Sequence, residues 1–407
     1  MSAKLRPGPL NGMRVLDLSH VMAGPVCGLM LADMGADVIK VEKTGQGDDT
    51  RRMTPPVVNG VSGSFMMMNR NKRGLAVDLK SDAGRGVLER MVAEADALIE
   101  NYRHDTMHRL GLGYDHLAEI NPGLIYCEIS GFGRTGPFAN QGGFDLVAQG
   151  MSGLMAITGE GEGRPPVKVG APVTDITAGI LAAMGVAAAY AHKLKTGEGQ
   201  RVDTSLFEAG ITHTYWQSAI CFASGQSPGP LGSAHPISAP YQAFQTSDGW
   251  LNLGASNQST WEKFLTTLEG GETLKSDPRF ATNADRMANL NALVETLSAH
   301  FKTRTTADWL ARLEAAGVPS GPVLSIAEMH RHEQVAARDM VPTVDHPVAG
   351  PVQTIGLPVK FSKTPGQVTD PAPGLGEHTR IVLSEFGFTT DEIDGLFAVG
   401  AVGEPAV

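Results

Sequence analysis

The sequence predicts an α/β fold: a large Rossmann-like domain on a parallel sheet, with a smaller α+β domain set into the chain. Three observations predict it. The first 135 residues alternate short apolar, β-branched runs with helical patterns, as βαβ units require. At 407 residues the chain is too long for one ordinary core. A Gly- and Pro-rich stretch at 224–240 then separates this region from a hairpin signal and three helical patterns.

Taken in order, Arg14-Val-Leu-Asp-Leu18 reads as a buried strand, Pro25–Met34 as a helix and Asp37–Glu42 as a second strand. After a polar loop come strand Leu75–Leu79, helix Ser81–Glu94, strand Ala97–Glu100 and strand Leu124–Ile129. Ile176–Leu194 is Ala-rich and helical, with Pro172 and Thr174 as start signals. Beyond the linker, Tyr241–Gln245 and Trp250–Leu253 flank Ser247-Asp-Gly249, a hairpin pattern. Helices are expected over 259–268, 284–303 and 306–316, and Thr389-Thr-Asp-Glu392 is a capping box before Ile393. The expected domains are 1–223 (large, Rossmann-like), 224–325 (small, α+β) and 326–407, a segment returning to the large domain.

Composition narrows the function. Hydrophobic content of 42% and charged content of 19% suit a folded, water-soluble chain. The net charge of −10 disfavours nucleic acid or an anionic membrane as partner. Residues 1–110 are mildly basic, with 15 Lys and Arg against 13 Asp and Glu, so a phosphorylated ligand would be best received there. Cys27, Cys127 and Cys221 are far apart in sequence and form no CxxC pair, which fits a reducing cytoplasm rather than a disulfide or zinc framework. No signal-peptide core opens the sequence, and the run 176–191 is too short and too rich in Ala and Gly for a membrane span. No GxGxxG follows the first strand, where Ser19-His-Val-Met-Ala-Gly-Pro25 stands instead, so a dinucleotide cofactor is not expected.

Asp175, in Gly170-Ala-Pro-Val-Thr-Asp-Ile-Thr-Ala-Gly179, is the most informative residue. At the head of a helix a carboxylate meets unpaired N–H groups and the positive end of the dipole, which favours its ionised form. A fixed, ionised carboxylate is a nucleophile toward an activated acyl group. The local sequence equally permits Asp175 or Thr174 to be a plain N-cap. Asn71-Lys-Arg73 reads as a loop before a strand, and Met66–Met68 as core filler. His104 and His108 have i,i+4 spacing, but no third ligand closes a metal site, so they read as an exposed helix face.

Several runs together resemble the class III coenzyme A transferases, which include formyl-CoA transferase and the carnitine CoA-transferases and share a fold with the alpha-methylacyl-CoA racemases. They are Gly12–Pro25, Gly35–Glu42, Asn69–Gly74, Glu100–Arg103, Gly143–Asp145, Pro172–Asp175, Gly197–Gln200 and Gly376–His378, in family order over nearly the whole chain. The resemblance implies acyl-CoA:carboxylate CoA transfer through mixed anhydrides and an aspartyl-CoA thioester on Asp175. It implies coenzyme A and acyl-CoA as substrates, with no prosthetic group, and an interlocked homodimer. It places His20, Val21 and Ala23 along the pantetheine arm, Lys43 beside the nucleotide, and Val77, Lys80, Asn101, Tyr102, Arg109 and Leu110 around the rest of the CoA site. Met22, Phe144 and Asp145 fall at positions near the reacting acyl group.

Two departures matter. Racemases of this fold carry Gly-His-Asp where this chain has Gly143-Phe144-Asp145, and phenylalanine exchanges no proton. Formyl-CoA transferase carries a glutamine at the place of Met22 and a glycine-rich run near Leu253–Gln258, which has one glycine here. Gly142, Gly143 or the 253–258 loop are the expected oxyanion donors or lid. The alternatives are an isomerase acting at the acyl α-carbon, which needs a second base, and a non-catalytic CoA-binding protein.

Overall fold

The computed structural model describes residues 6–404. They form two compact units: one takes the residues up to Leu154, Lys168–Tyr215 and those from Glu333 on; the other takes Met155–Val167 and Trp216–His332. The divisions between these units fall at 215/216 and 332/333, and 155–167 groups with the second unit.

The first unit is built on a seven-stranded sheet. Its parallel strands are β1 (Arg14–Asp17), β2 (Asp37–Glu42), β3 (Arg73–Val77), β4 (Ala97–Glu100), β5 (Ile125–Ser130) and β6 (Arg201–Ser205), in the order β3-β2-β1-β4-β5-β6. β7 (Val402–Gly403) adds antiparallel beside β3. The Rossmann-like expectation holds. β6 reads Arg-Val-Asp-Thr-Ser and β7 spans two residues, so neither carries the apolar run that marks the others.

Alternation along the strands feeds two core layers. Val15, Val38, Ile99, Ile125 and Cys127 pack with helices α1 (Ala23–Asp33) and α4 (Val173–Thr196) on one face. Leu16, Ile39, Leu75, Leu98 and Tyr126 pack with α2 (Asp82–Val92) on the other. Ala178, Ala182, Val186 and Ala189 give α4 a buried stripe, which accounts for its apolar character. Gly179 is the contact that draws α4 onto α1, since a Cβ there would lie 2.5 Å from the Ala23 carbonyl oxygen. Cys27 and Cys127, distant in sequence, meet in this layer as free, buried thiols.

Strand order reverses between β1 and β4, and a crevice opens there at the carboxyl ends of the strands, where open α/β sheets bind ligands. The segments leaving these ends are Leu18–Met22 and Asn101–Tyr102.

In the second unit Tyr241–Gln245 and Trp250–Gly254 form the expected hairpin, with Ser320–Pro322 completing a three-stranded sheet. Phe244, Trp261, Phe264, Phe301 and Trp309 make an aromatic core against it. The helix expected over 284–303 is two, Asn283–Ala288 and Leu290–Phe301, broken at Asn289. Arg286, in the first of them, is fully buried and donates to the Ala239, Ser256 and Phe280 carbonyls. The 253–258 loop is thus pinned at Ser256.

Candidate active site

Asp175 is the third residue of α4, after Pro172 at the N-cap. It does not cap the helix. The cap is supplied across the fold by Asp145, first residue of α3 (Asp145–Met151), whose Oδ1 accepts from the Thr174 N–H at 3.0 Å and from the Thr174 hydroxyl at 2.8 Å. Asp145 Oδ2 accepts from Gln149 Nε2 at 2.8 Å. No hydrogen bond or ion pair reaches the Asp175 carboxylate among the described residues, although it is half-buried. Burial, and then the nearby Asp145 charge, push its carboxyl up to about 6. The helix N-terminus was expected to favour ionisation; these two effects outweigh it.

Asp175 opens on a cavity of about 360 Å³ that is lined also by His20, Val21, Met22, Ala23, Asn101, Tyr102 and Phe144. A second groove, of about 420 Å³, is lined by His20, Lys43, Val77, Lys80, Tyr102, Arg109 and Leu110. His20 and Tyr102 stand in both linings, their rings 5.1 Å apart. Of the site residues that the resemblance implies, only Asp145 lines neither space. Its carboxylate instead fixes the residue before Asp175.

The turn carrying His20 is held from both sides. Asn101 accepts from the His20 N–H at 2.7 Å and donates to the His20 carbonyl at 2.8 Å. From below, Asp48 accepts from the Val21 N–H at 3.3 Å, and Lys40 donates to the Ser19 carbonyl. Val21 is forced to φ 66°, a conformation a β-branched residue resists. Lys40 pairs with Asp48 at 3.0 Å and Lys72 with Asp17 at 2.8 Å, all four side chains fully buried. Lys40 and its neighbours hold the Asp48 carboxyl well below the usual range, against its burial. Burial, then the Lys40 charge, lower the His20 imidazole, so it is neutral at pH 7.

Sequence reasoning missed this underpinning. Asn71-Lys-Arg73 is no plain loop: Lys72 also donates to Pro25 O and Asn69 Oδ1, both at 2.9 Å. A lysine inside the apolar strand Asp37-Val-Ile-Lys-Val-Glu42 was the available signal, because a core charge demands a partner. Met66 and Met68 are buried, and Met66 lines a separate cavity of about 170 Å³. His104 and His108 do not share a helix; Asp105, at φ 62°, stands between His104 and the turn Thr106–Arg109 and pairs with His104 at 2.9 Å. No metal-binding cluster occurs among the described residues.

The 131–144 segment was also undervalued. It joins β5 to α3 and lines the Asp175 cavity with Gly131, Gln141, Gly142 and Gly143. The N–H groups of Gly142 and Gly143 have no partner among the described residues. Its ends cross at two glycines: a Cβ on Gly143 would meet Gly131 Cα at 2.4 Å. Arg134 in this segment pairs with Glu100 at 2.8 Å and Glu128 at 3.1 Å. Burial raises the Glu100 carboxyl to about 7 despite Arg134.

A family model for CoA-transferase family III matches residues 10–379. The chain belongs to this family. It is 40% identical over 386 residues to a succinate–glutarate CoA-transferase from Agrobacterium fabrum, covering 93% of this chain and 96% of that protein. An acetyl-CoA:oxalate CoA-transferase from Acetobacter aceti is 39% identical over 93% of this chain and 96% of its own length. The crystal structure of a CAIB/BAIF family protein from Brucella suis superposes with a TM-score of 0.83, at 39% identity, over 94% of this chain and all of that one. The chain is therefore a CoA-transferase.

Proposed function

We propose that this enzyme moves CoA from an acyl-CoA donor to a free carboxylic acid by covalent catalysis on Asp175. The observation that carries the reading is an unpartnered, half-buried carboxylate in a cavity whose lining meets, at His20 and Tyr102, the groove with the expected CoA contacts. Lys43, Lys80 and Arg109 supply charge for the CoA phosphates, and Val77, Leu110 and Tyr102 an apolar bed for its arm. Val21, Met22, Ala23 and Asn101 guide the thioester toward Asp175.

The Asp175 carboxylate attacks the donor thioester carbonyl, giving a mixed anhydride and CoA thiolate. The thiolate attacks the aspartyl carbonyl, forming an aspartyl-CoA thioester and releasing the donor acid as carboxylate. The acceptor carboxylate attacks that thioester, giving a second anhydride and thiolate, and the thiolate takes the new acyl group, restoring Asp175. Thioester is exchanged for thioester, so the chemistry asks for positioning, oxyanion stabilisation and exclusion of water. The free N–H groups of Gly142 and Gly143 are the donors we assign to the oxyanions. Phe144, at the head of α3, and Met22 bound the acyl end; Asp145 holds Thr174, and through it Asp175.

Relatives named for succinate, glutarate and oxalate make short dicarboxylic acids the first acceptors to test. We also propose a homodimer, interlocked as the family resemblance implies and housed in the cytoplasm. Exposed Phe144, Met184 and Tyr215, all in the first unit, support covered apolar surface there. The test of the chemistry is Asp175→Ala with an acyl-CoA and a dicarboxylate panel. Turnover should vanish while circular dichroism and melting are kept; transfer at the parent rate would refute the assignment.

A further inference from the structure

Arg134 is nearly buried, its side chain 6% exposed, in the wall of the Asp175 cavity. Its Nη2 donates to Glu100 Oε1 at 2.8 Å and to the Tyr102 carbonyl at 3.2 Å. Its Nε lies 3.1 Å from Glu128 Oε1, and its backbone N–H donates to Asp203 Oδ2 at 3.1 Å. One side chain therefore ties the 131–144 segment to the ends of β4 and β5, and its own backbone ties it to β6.

The partners at β4 give this tie its meaning. Glu100 Oε2 accepts from the Tyr102 N–H at 2.6 Å, so Arg134 grips both ends of the Glu100–Tyr102 turn. Asn101, between them, clasps the His20 backbone, and the Tyr102 ring lies tilted against that of His20. The groove wall and the reaction-cavity wall are thus fastened at one point. The remaining anchors of the segment lie at its base: the Gly131–Gly143 crossing, the Gly131 carbonyl accepting from the Phe207 N–H at 3.1 Å, Gly133 N–H to Ser130 Oγ, and Phe132 against Phe138 and Phe207. Residues 135–138 and 141–142 are exposed, so without the Arg134 side chain the covering over Asp175 rests on these and on the Arg134 backbone N–H to Asp203.

We propose that Arg134 is a positioning residue that locks the 131–144 segment over Asp175 and registers it with the CoA-binding turn. The lock keeps water from the aspartyl intermediates. This inference rests on the proposed Asp175 chemistry. Where the lock is lost, water attacks an anhydride or the aspartyl thioester, giving free acid and CoA and restoring the Asp175 carboxylate.

The experiment measures the ratio of acyl-CoA hydrolysis to CoA transfer, with succinyl-CoA and glutarate as probes. In Arg134→Met the ratio should rise at least tenfold, and Arg134→Lys, which keeps the charge and one bond, should recover part of the loss. Arg134→Met leaves Glu100 buried and unpaired, so the double variant Arg134→Met/Glu100→Gln guards against misfolding; it should melt near the parent and still leak. A folded double variant with the parent ratio and parent KM overturns the proposal. Hydrogen exchange of the parent enzyme is independent of any variant: the bonded amides of Gly133, Arg134, Ala139 and Gln141 should be protected, and exchange of all four at free-peptide rates overturns the lock. Asp175→Ala separates the two readings. If it transfers CoA, the nucleophile assignment fails; if it is inactive while Arg134 variants keep the parent ratio, only the lock fails.

Discussion

Asp175 lies between opposing fields. The first turn of α4 favours its charge; burial and Asp145 disfavour it and prevail, leaving the carboxyl near 6. A nucleophilic carboxylate must be ionised, so kcat/KM for the donor acyl-CoA should fall about tenfold per pH unit below that value. A pH profile of the first half-reaction checks it. Asp145→Asn keeps an oxygen for Thr174 but removes the charge, and should move the acid limb to lower pH. The same shift has a stability sign. A carboxyl raised above 3.8 in the folded state makes folding less favourable as pH rises from about 4 to 6. Asp175→Asn should therefore melt at or above the parent temperature at pH 7, by on the order of 1–2 kcal/mol, in calorimetry. Asp175 was legible in the sequence because helix-start residues and a flanking run converge on it. That its cap comes from Asp145 was not, because those residues are distant in sequence and meet only in the fold.

At the scale of elements, the turn after β1 carries the site. Strand patterns revealed β1 to β5, since each is an apolar run between turn signals, and the switch point follows from their order. The ion pairs beneath the turn were hidden because Lys40 and Lys72 sit inside motifs read for their apolar or loop character. Lys40→Met leaves Asp48 buried and unpaired, and should cost about 3–5 kcal/mol in urea denaturation. It should also raise KM for acyl-CoA, because the Ser19 carbonyl and the Val21 turn lose their support. The Asp48 carboxyl, held below its usual range, contributes stability above the ordinary carboxylate pKa that is lost only in strong acid. Gly143→Ala forces Gly131 aside, whereas a Cβ on Gly142 meets nothing within 4 Å. Assayed together, Gly143→Ala should lose at least tenfold in kcat and Gly142→Ala should stay close to the parent.

At the scale of the whole molecule, the Gly- and Pro-rich stretch at 224–240 is a linker signal in the sequence, whereas the grouping of 155–167 with the second unit leaves no such signal. Beyond the one-turn helix Leu154–Ile157 that segment has no regular structure, so only tertiary contact assigns it. The apolar side chains left on the surface lead to the proposed homodimer. Sedimentation should give twice the 42.9 kDa chain mass, and Met184→Glu should shift it toward monomer. The central claim is covalent chemistry at Asp175. The most direct test is intact mass after mixing with a panel of acyl-CoAs, with peptide mapping of the adduct. A CoA-sized gain on the peptide holding Asp175, discharged by a dicarboxylic acid, is the predicted result. Steady transfer with no adduct on that peptide would contradict it.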